Sequence, residues 1–209
     1  MIEWISAQSS FLQFLTSLLT LAVWVFYAQL LLGGYLRQRR PKVVLNQVME
    51  LSTKGRFLIS NMSAEGIHIE SLQVWLHSYE GVRRCTVTET EPDSEGQLCD
   101  SIQRGTLQGP LPPDGYIDAG EISTLVRRAR SSPFDDNVAS LCAAENCDYT
   151  VELLVLYVYS SAPSIMGAKR TFTFDDDGNA RPYHVETEQL TSRRERKKMA
   201  DIYRKYLTI

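Results

Sequence analysis

Hydrophobic positions along this chain fall into three regimes. From Phe11 to Leu36 they crowd into 26 consecutive positions that carry no charged side chain. From Val43 to residue 189 they come in short bursts, many of them alternating with polar residues. From residue 190 to 209 they recur at helical spacing. The first regime predicts a membrane-spanning helix over residues 11–36, because ~20 apolar residues at ~1.5 Å each cross a hydrocarbon core of roughly 30 Å. Residues 1–10 form a short tail ahead of it. They hold no Lys or Arg and one acidic residue, Glu3, unlike the basic start of a cleaved secretory leader, so the expectation is an anchor that stays.

The second regime predicts strands. VVLNQVME, RFLISNM, IHIESLQVWLHSY and VRRCTVTE are rich in β-branched and aromatic residues and are separated by turn-forming segments at Lys54-Gly55, Ser63–Gly66 and Glu80-Gly81. Ile67 and Ile69 share one parity while Leu72, Val74 and Leu76 share the other, which a bulge near Glu70-Ser71 reconciles. Residues 91–113 read as a long polar loop, Tyr116 to Gly120 as a brief strand. Glu121 to Ser131 reads as a helix with Ile122, Leu125, Val126 and Ala129 on one face and Arg127, Arg128 and Arg130 toward water. A second loop, residues 132–148, leads to YTVELLVLYVYSS, apolar enough to be buried on both faces, and AKRTFTFD follows as its alternating hairpin partner. About seven short strands without intervening helices favour an antiparallel sandwich of the immunoglobulin kind over a parallel sheet. The Cys-Trp-Cys hallmark of that fold is not met, because Cys85 and Cys142 do not flank Trp75.

The third regime predicts an amphipathic helix over residues 190–209. Ser192 with Glu195 makes a capping box, and Met199, Ile202, Tyr203, Tyr206 and Leu207 form its apolar stripe. The whole chain is therefore expected to be mainly β: an N-terminal transmembrane helix, a basic juxtamembrane segment (37–42), a sandwich domain (43–189) with one inserted helix, and a C-terminal basic amphipathic helix.

Charge then gives this plan a direction. The formal net charge is -3, but the 11 basic and 22 acidic residues of the body lie between two basic ends. Arg37, Arg39, Arg40 and Lys42 follow the span and no base precedes it, which places the N-terminus outside and the body in the cytoplasm. Those four residues, with Arg193, Arg194, Arg196, Lys197 and Lys198, are the candidate contacts with anionic lipid or with a partner. The helix could also dock on its own domain with its charges solvated, and nucleic acid is not expected. Within the span, Gln13, Thr16, Ser17 and Thr20 fall near one face and suit packing against another transmembrane helix, of a partner or of a second copy. Their hydroxyls can equally bond back to the helix's own carbonyls.

Candidate chemistry changes little. Cys85, Cys99, Cys142 and Cys147 show no C-x-x-C spacing, so thiols are expected in the cytoplasm, and Cys85–Cys99 and Cys142–Cys147 pairs only in the inverse topology. Asp175, Asp177, Asn179 and Glu186 match four positions of a calcium loop, but Ala180 stands where the sharp turn needs Gly. His68, His77 and His184 are scattered, and the chain lacks a phosphate loop, a nucleophile elbow and an H-E-x-x-H motif. No catalytic, metal or cofactor residues are assigned. Asn61-Met62-Ser63 matches a glycosylation acceptor that a cytoplasmic turn would never expose to the transferase.

The order of short tail, single span, RQRRPK and then FLISNMSAEGIHIESLQVWL resembles uncharacterised bacterial single-pass inner-membrane proteins. The stretch ISNMSAEGIHIESL is similar to the strand-turn-strand of immunoglobulin-like accessory domains. The resemblance covers the span and the first half of the body and transfers no site residues. The expected function is that of a membrane-anchored, non-enzymatic interaction or accessory protein at the inner membrane. The alternative is a cation- or ligand-sensing anchored module using the loop from Glu89 to Asp100 or the Asp175 turn; an enzyme using Cys142, Cys147 or His184 ranks third.

Overall fold

The computed structural model of this chain describes residues 2–38, 40–48, 54–89, 105–135, 149–174 and 180–207. The chain divides into two compact units, Met1–Arg40 and Pro41–Ile209. The first is a single helix, α1 (Ile2–Gln38), of which Phe11–Tyr35 is long and apolar enough to cross a membrane. It contains no proline, and its many Leu and Ala residues favour helix, with Gly33-Gly34 near its end the weakest point.

The second unit is built from two antiparallel sheets. The smaller has the order β1 (Val43–Val48), β2 (Arg56–Asn61), β6 (Tyr116–Glu121). The larger runs β10 (Glu188–Leu190), β8 (Ala162–Phe174), β7 (Thr150–Tyr159), β3 (Ile67–Ser78), β4 (Gly81–Val87), with β5 (Gly109–Leu111) added to β3 and β9 (Ala180–Pro182) to β8. Val43, Leu45, Phe57 and Ile59 of the smaller sheet share one core with Leu72, Val74, Val151, Leu153, Val155 and Phe172 of the larger. The Phe57 and Phe172 rings meet across the sheets at 4.7 Å between centroids. Helix α2 (Ile122–Arg130) closes that core, burying the four apolar residues its periodicity marks: Ile122, Leu125, Val126 and Ala129.

The register of β3 shifts between Ile69 and Ser71, at the bulge that its parity change predicts. All five apolar residues on either side of the shift thereby reach the same core. Strand β7 is buried on both faces, because its even-numbered Leu154 and Leu156 lie under a third helix, α3 (Arg193–Leu207), while its odd-numbered residues face the inner core.

Three expectations are corrected. Residues 105–113 are not irregular loop: Leu107 is fully buried and Gly109–Leu111 pairs with β3. Strand β8 starts at Ala162 rather than Ala168, and Pro163 sits where the β7–β8 register shifts, so its missing N–H breaks no ladder bond. Three strands beyond the predicted seven, β5, β9 and β10, are three residues each, too short to leave an alternating signal.

Candidate functional site

Helix α1 is the simplest of the candidate regions to build. Every described side chain from Phe11 to Tyr35 is exposed on the protein, Trp24 at 70% and Leu31 at 75%. Thr16 donates to the Leu12 carbonyl (2.6 Å), Ser17 to the Gln13 carbonyl (2.8 Å) and Thr20 to the Thr16 carbonyl (2.8 Å). The hydroxyls of the polar stripe are thus satisfied within the helix, which would lower the cost of placing them in an apolar solvent, and Gln13 is the stripe's one amide. Of the basic cluster, Arg40 and Lys42 are exposed; the Arg37 side chain and Arg39 lie outside the described residues.

Where the chain enters the body, β1 is an edge strand, and its outer edge is closed by side chains. The Val43 N–H donates to Gln189 Oε1 (3.1 Å), and Gln189 Nε2 donates back to the Val43 carbonyl (2.6 Å). The Leu45 N–H donates to Thr187 Oγ1 (3.1 Å), and Arg170 Nη1 donates to the Leu45 carbonyl (2.6 Å) and to Asn46 Oδ1 (2.6 Å). Side chains cannot extend a sheet, so the edge is protected from pairing with another strand. Gln189, Thr187 and Arg170 give no sign of this role in the sequence, since they bond residues more than a hundred positions away.

Four residues beyond Gln189, α3 begins with the capping box that its sequence predicts. The Ser192 N–H donates to Glu195 Oε2 (2.8 Å) and the Glu195 N–H to Ser192 Oγ (3.3 Å), bonds that hold the Glu195 carboxyl below its usual range. Its stripe docks on the outer face of the larger sheet: Met199 is buried among Leu154, Leu156 and Leu190, with Ile202, Tyr203 and Trp75 packed beside them. Tyr203 donates to Glu70 Oε2 (2.7 Å) at the β3 bulge, and that bond pushes its hydroxyl up to about 12. Arg196 is half-buried and donates to the Thr191 carbonyl (2.7 Å) and Ser164 Oγ (3.1 Å), so it fixes the helix to the body. Arg193, Arg194, Lys197 and Lys198 are exposed.

Beside α3 the same outer face turns polar. Glu152, 6% exposed, lies 3.7 Å from Lys169, whose ammonium also reaches Glu188 at 3.3 Å. Burial pushes the Glu152 carboxyl up, and the nearby Lys169 opposes that shift. The pair borders a cleft of about 260 Å³ that also takes in Thr171, Tyr183 and His184. Burial, reinforced by Lys169, lowers His77 to about 4, so its ring is neutral near pH 7 and does not respond to physiological changes in acidity. Burial pushes the Cys85 thiol up to about 11, against the pull of Arg128, which leaves little thiolate to act as a nucleophile. His68 and His184 are exposed, and among the described residues no cluster of His, Cys, Asp or Glu could hold a metal ion. Glu186 is exposed; the Asp175–Asn179 turn, Cys99, Cys142, Cys147 and most of the acidic loop from Glu89 lie outside the described residues.

Asn61 has a role that its acceptor-like sequence hides. It is fully buried, and its Nδ2 donates to the carbonyls of Glu65 (3.0 Å), Leu111 (3.1 Å) and Pro112 (3.0 Å), while Oδ1 accepts from the Ser63 N–H (3.0 Å). The folded chain offers no free amide there for a sugar.

Comparison with known proteins found no matching family model, no matching curated protein and no matching solved structure. The functional reading therefore rests on the residues of this chain.

Proposed function

We propose that the protein is a membrane-anchored, non-enzymatic interaction or accessory protein. It holds an immunoglobulin-like body at the cytoplasmic face of a bacterial inner membrane and meets a protein partner there. The observation that carries this reading is α1: a helix whose apolar side chains from Phe11 to Tyr35 are all exposed, in a unit apart from the body, has lipid as its natural solvent. The basic residues that follow it favour a cytoplasmic body. The stripe of Gln13, Thr16, Ser17 and Thr20 suits a helix partner, since polar and small side chains give close, hydrogen-bonded contact in lipid.

A ligand-sensing module is the second reading, favoured by the cleft beside buried Glu152. The test that separates the two is purification of the full-length protein from native membranes in mild detergent, beside a Gln13→Leu/Thr16→Leu/Thr20→Leu variant. A stoichiometric partner, or a homo-oligomer, is expected with the native chain, and its yield should fall about tenfold in the variant, the equivalent of ~1.4 kcal/mol. Recovery of a lone monomer from both would contradict the interaction reading and turn attention to the cleft.

A further inference from the structure

The docking of α3 has a consequence for lipid. At 3.6 residues per turn, Arg193, Arg204, Lys197, Asp201, Arg194, Lys205 and Lys198 fall within one arc of about 140°, and all seven are exposed. The arc holds six bases and one acid, Asp201, which Arg204 bonds at 2.9 Å. An amphipathic helix that inserts into a bilayer needs a free apolar face. Here Met199, Ile202 and Tyr203 are committed to the sheet, which leaves Leu207, 66% exposed near the end of the helix, as the one aliphatic side chain of the stripe in solvent, too little apolar surface for insertion.

Two further observations say what the arc meets. The start of α3 is tied to the start of the body by the reciprocal Gln189–Val43 hydrogen bonds. Only residues 39–42 join α1 to Val43, and an extended chain covers at most ~3.6 Å per residue, so Val43 stays within roughly 18 Å of Gln38 in every orientation of the two units. The remainder of the body is strongly acidic, with 22 acidic against 11 basic residues, and is repelled by a negative surface.

We infer that this arc is a lipid-contact face, which meets the anionic headgroups of the membrane in which the chain is anchored and does so by charge alone, without insertion. The inference rests on the reading of α1 as a span.

Lysine acetylation of the full chain in nanodiscs, read by mass spectrometry, tests the contact. Co-elution of the chain with nanodiscs of either lipid composition tests the anchor separately. Lys54, at the opposite end of β1 from Val43, is the internal control. In discs with about 30% phosphatidylglycerol, Lys197 and Lys198 should react about threefold more slowly than in neutral discs, and about 0.5 M salt should restore their rate. An Arg193→Glu/Arg194→Glu variant should lose the difference. Equal rates in the two lipids, equal slowing of Lys54, or the same protection in neutral discs, as contact with a second copy would give, would each overturn the inference.

Discussion

Asn61→Asp is expected to destabilise the body by about 3 kcal/mol, because it turns a buried donor into a carboxylate facing three carbonyl oxygens. The Asn61 amide ties the β2–β3 turn to Leu111 and Pro112 at the end of β5, and backbone bonds join the same segments: the Asn61 N–H donates to the Gly115 carbonyl and the Asp114 N–H to the Asn61 carbonyl. Protonation of the new carboxyl would restore one donor of the two, so acid should recover part of the loss. Thermal unfolding of the full chain in detergent measures the effect. A variant within about 0.5 kcal/mol of the native protein would show that the amide is dispensable.

The second large effect is expected at Gly167, on β8 beneath α3. A Cβ there would lie 2.7 Å from Met199 Sδ, 3.2 Å from Leu154 Cδ1 and 3.3 Å from Leu190 Cδ1. The Met199 sulfur sits near the end of a flexible side chain, so Gly167→Ala should be tolerated after a small shift. Gly167→Leu has no such escape: three sides of the site are occupied, and overpacking of this kind costs about 1–3 kcal/mol. The strain should lift α3 rather than open the sheet, since β7, which pairs with β8 below it, is buried at all but one of its ten positions. Hydrogen exchange would then show α3 amides losing protection while those of β7 keep theirs. Unchanged protection in α3 would mean that the helix is not seated on Gly167.

These two positions also show what the sequence discloses and what it hides. Features written in a local period were legible: the stripe of α2, the parity change in β3 at Glu70-Ser71, the doubly buried β7, and the Ser192–Glu195 capping box. Each depends on residues within a few positions of one another. The hydrogen bonds from Gln189 to Val43, Arg170 to Leu45 and Asn61 to Leu111 join distant segments, and no spacing rule relates their members. The apolar stripe of α3 was legible as a stripe, yet the surface it covers was not. Leu154 and Leu156 mark β7 as buried on both faces without naming the element that buries the second. The role of Asn61 was hidden for another reason: the three residues that match a glycosylation acceptor, set aside as such, also make an Asx-type turn, with Oδ1 of Asn61 accepting from the Ser63 N–H.

The basic residues were legible as a cluster but not in their division of labour. Arg196 reads like its neighbours, and only the fold turns its guanidinium inward to Thr191 and Ser164. The remaining bases of α3 stay in solvent, where charge is their whole contribution.

Everything proposed for this protein depends on α1 lying in a membrane. Fractionation of cells that express the full chain, followed by an alkaline carbonate wash, tests that dependence most directly. The account predicts that the protein stays in the membrane pellet at full-length mass. Release into the wash, or recovery of a soluble protein shortened at its N-terminus, would contradict it.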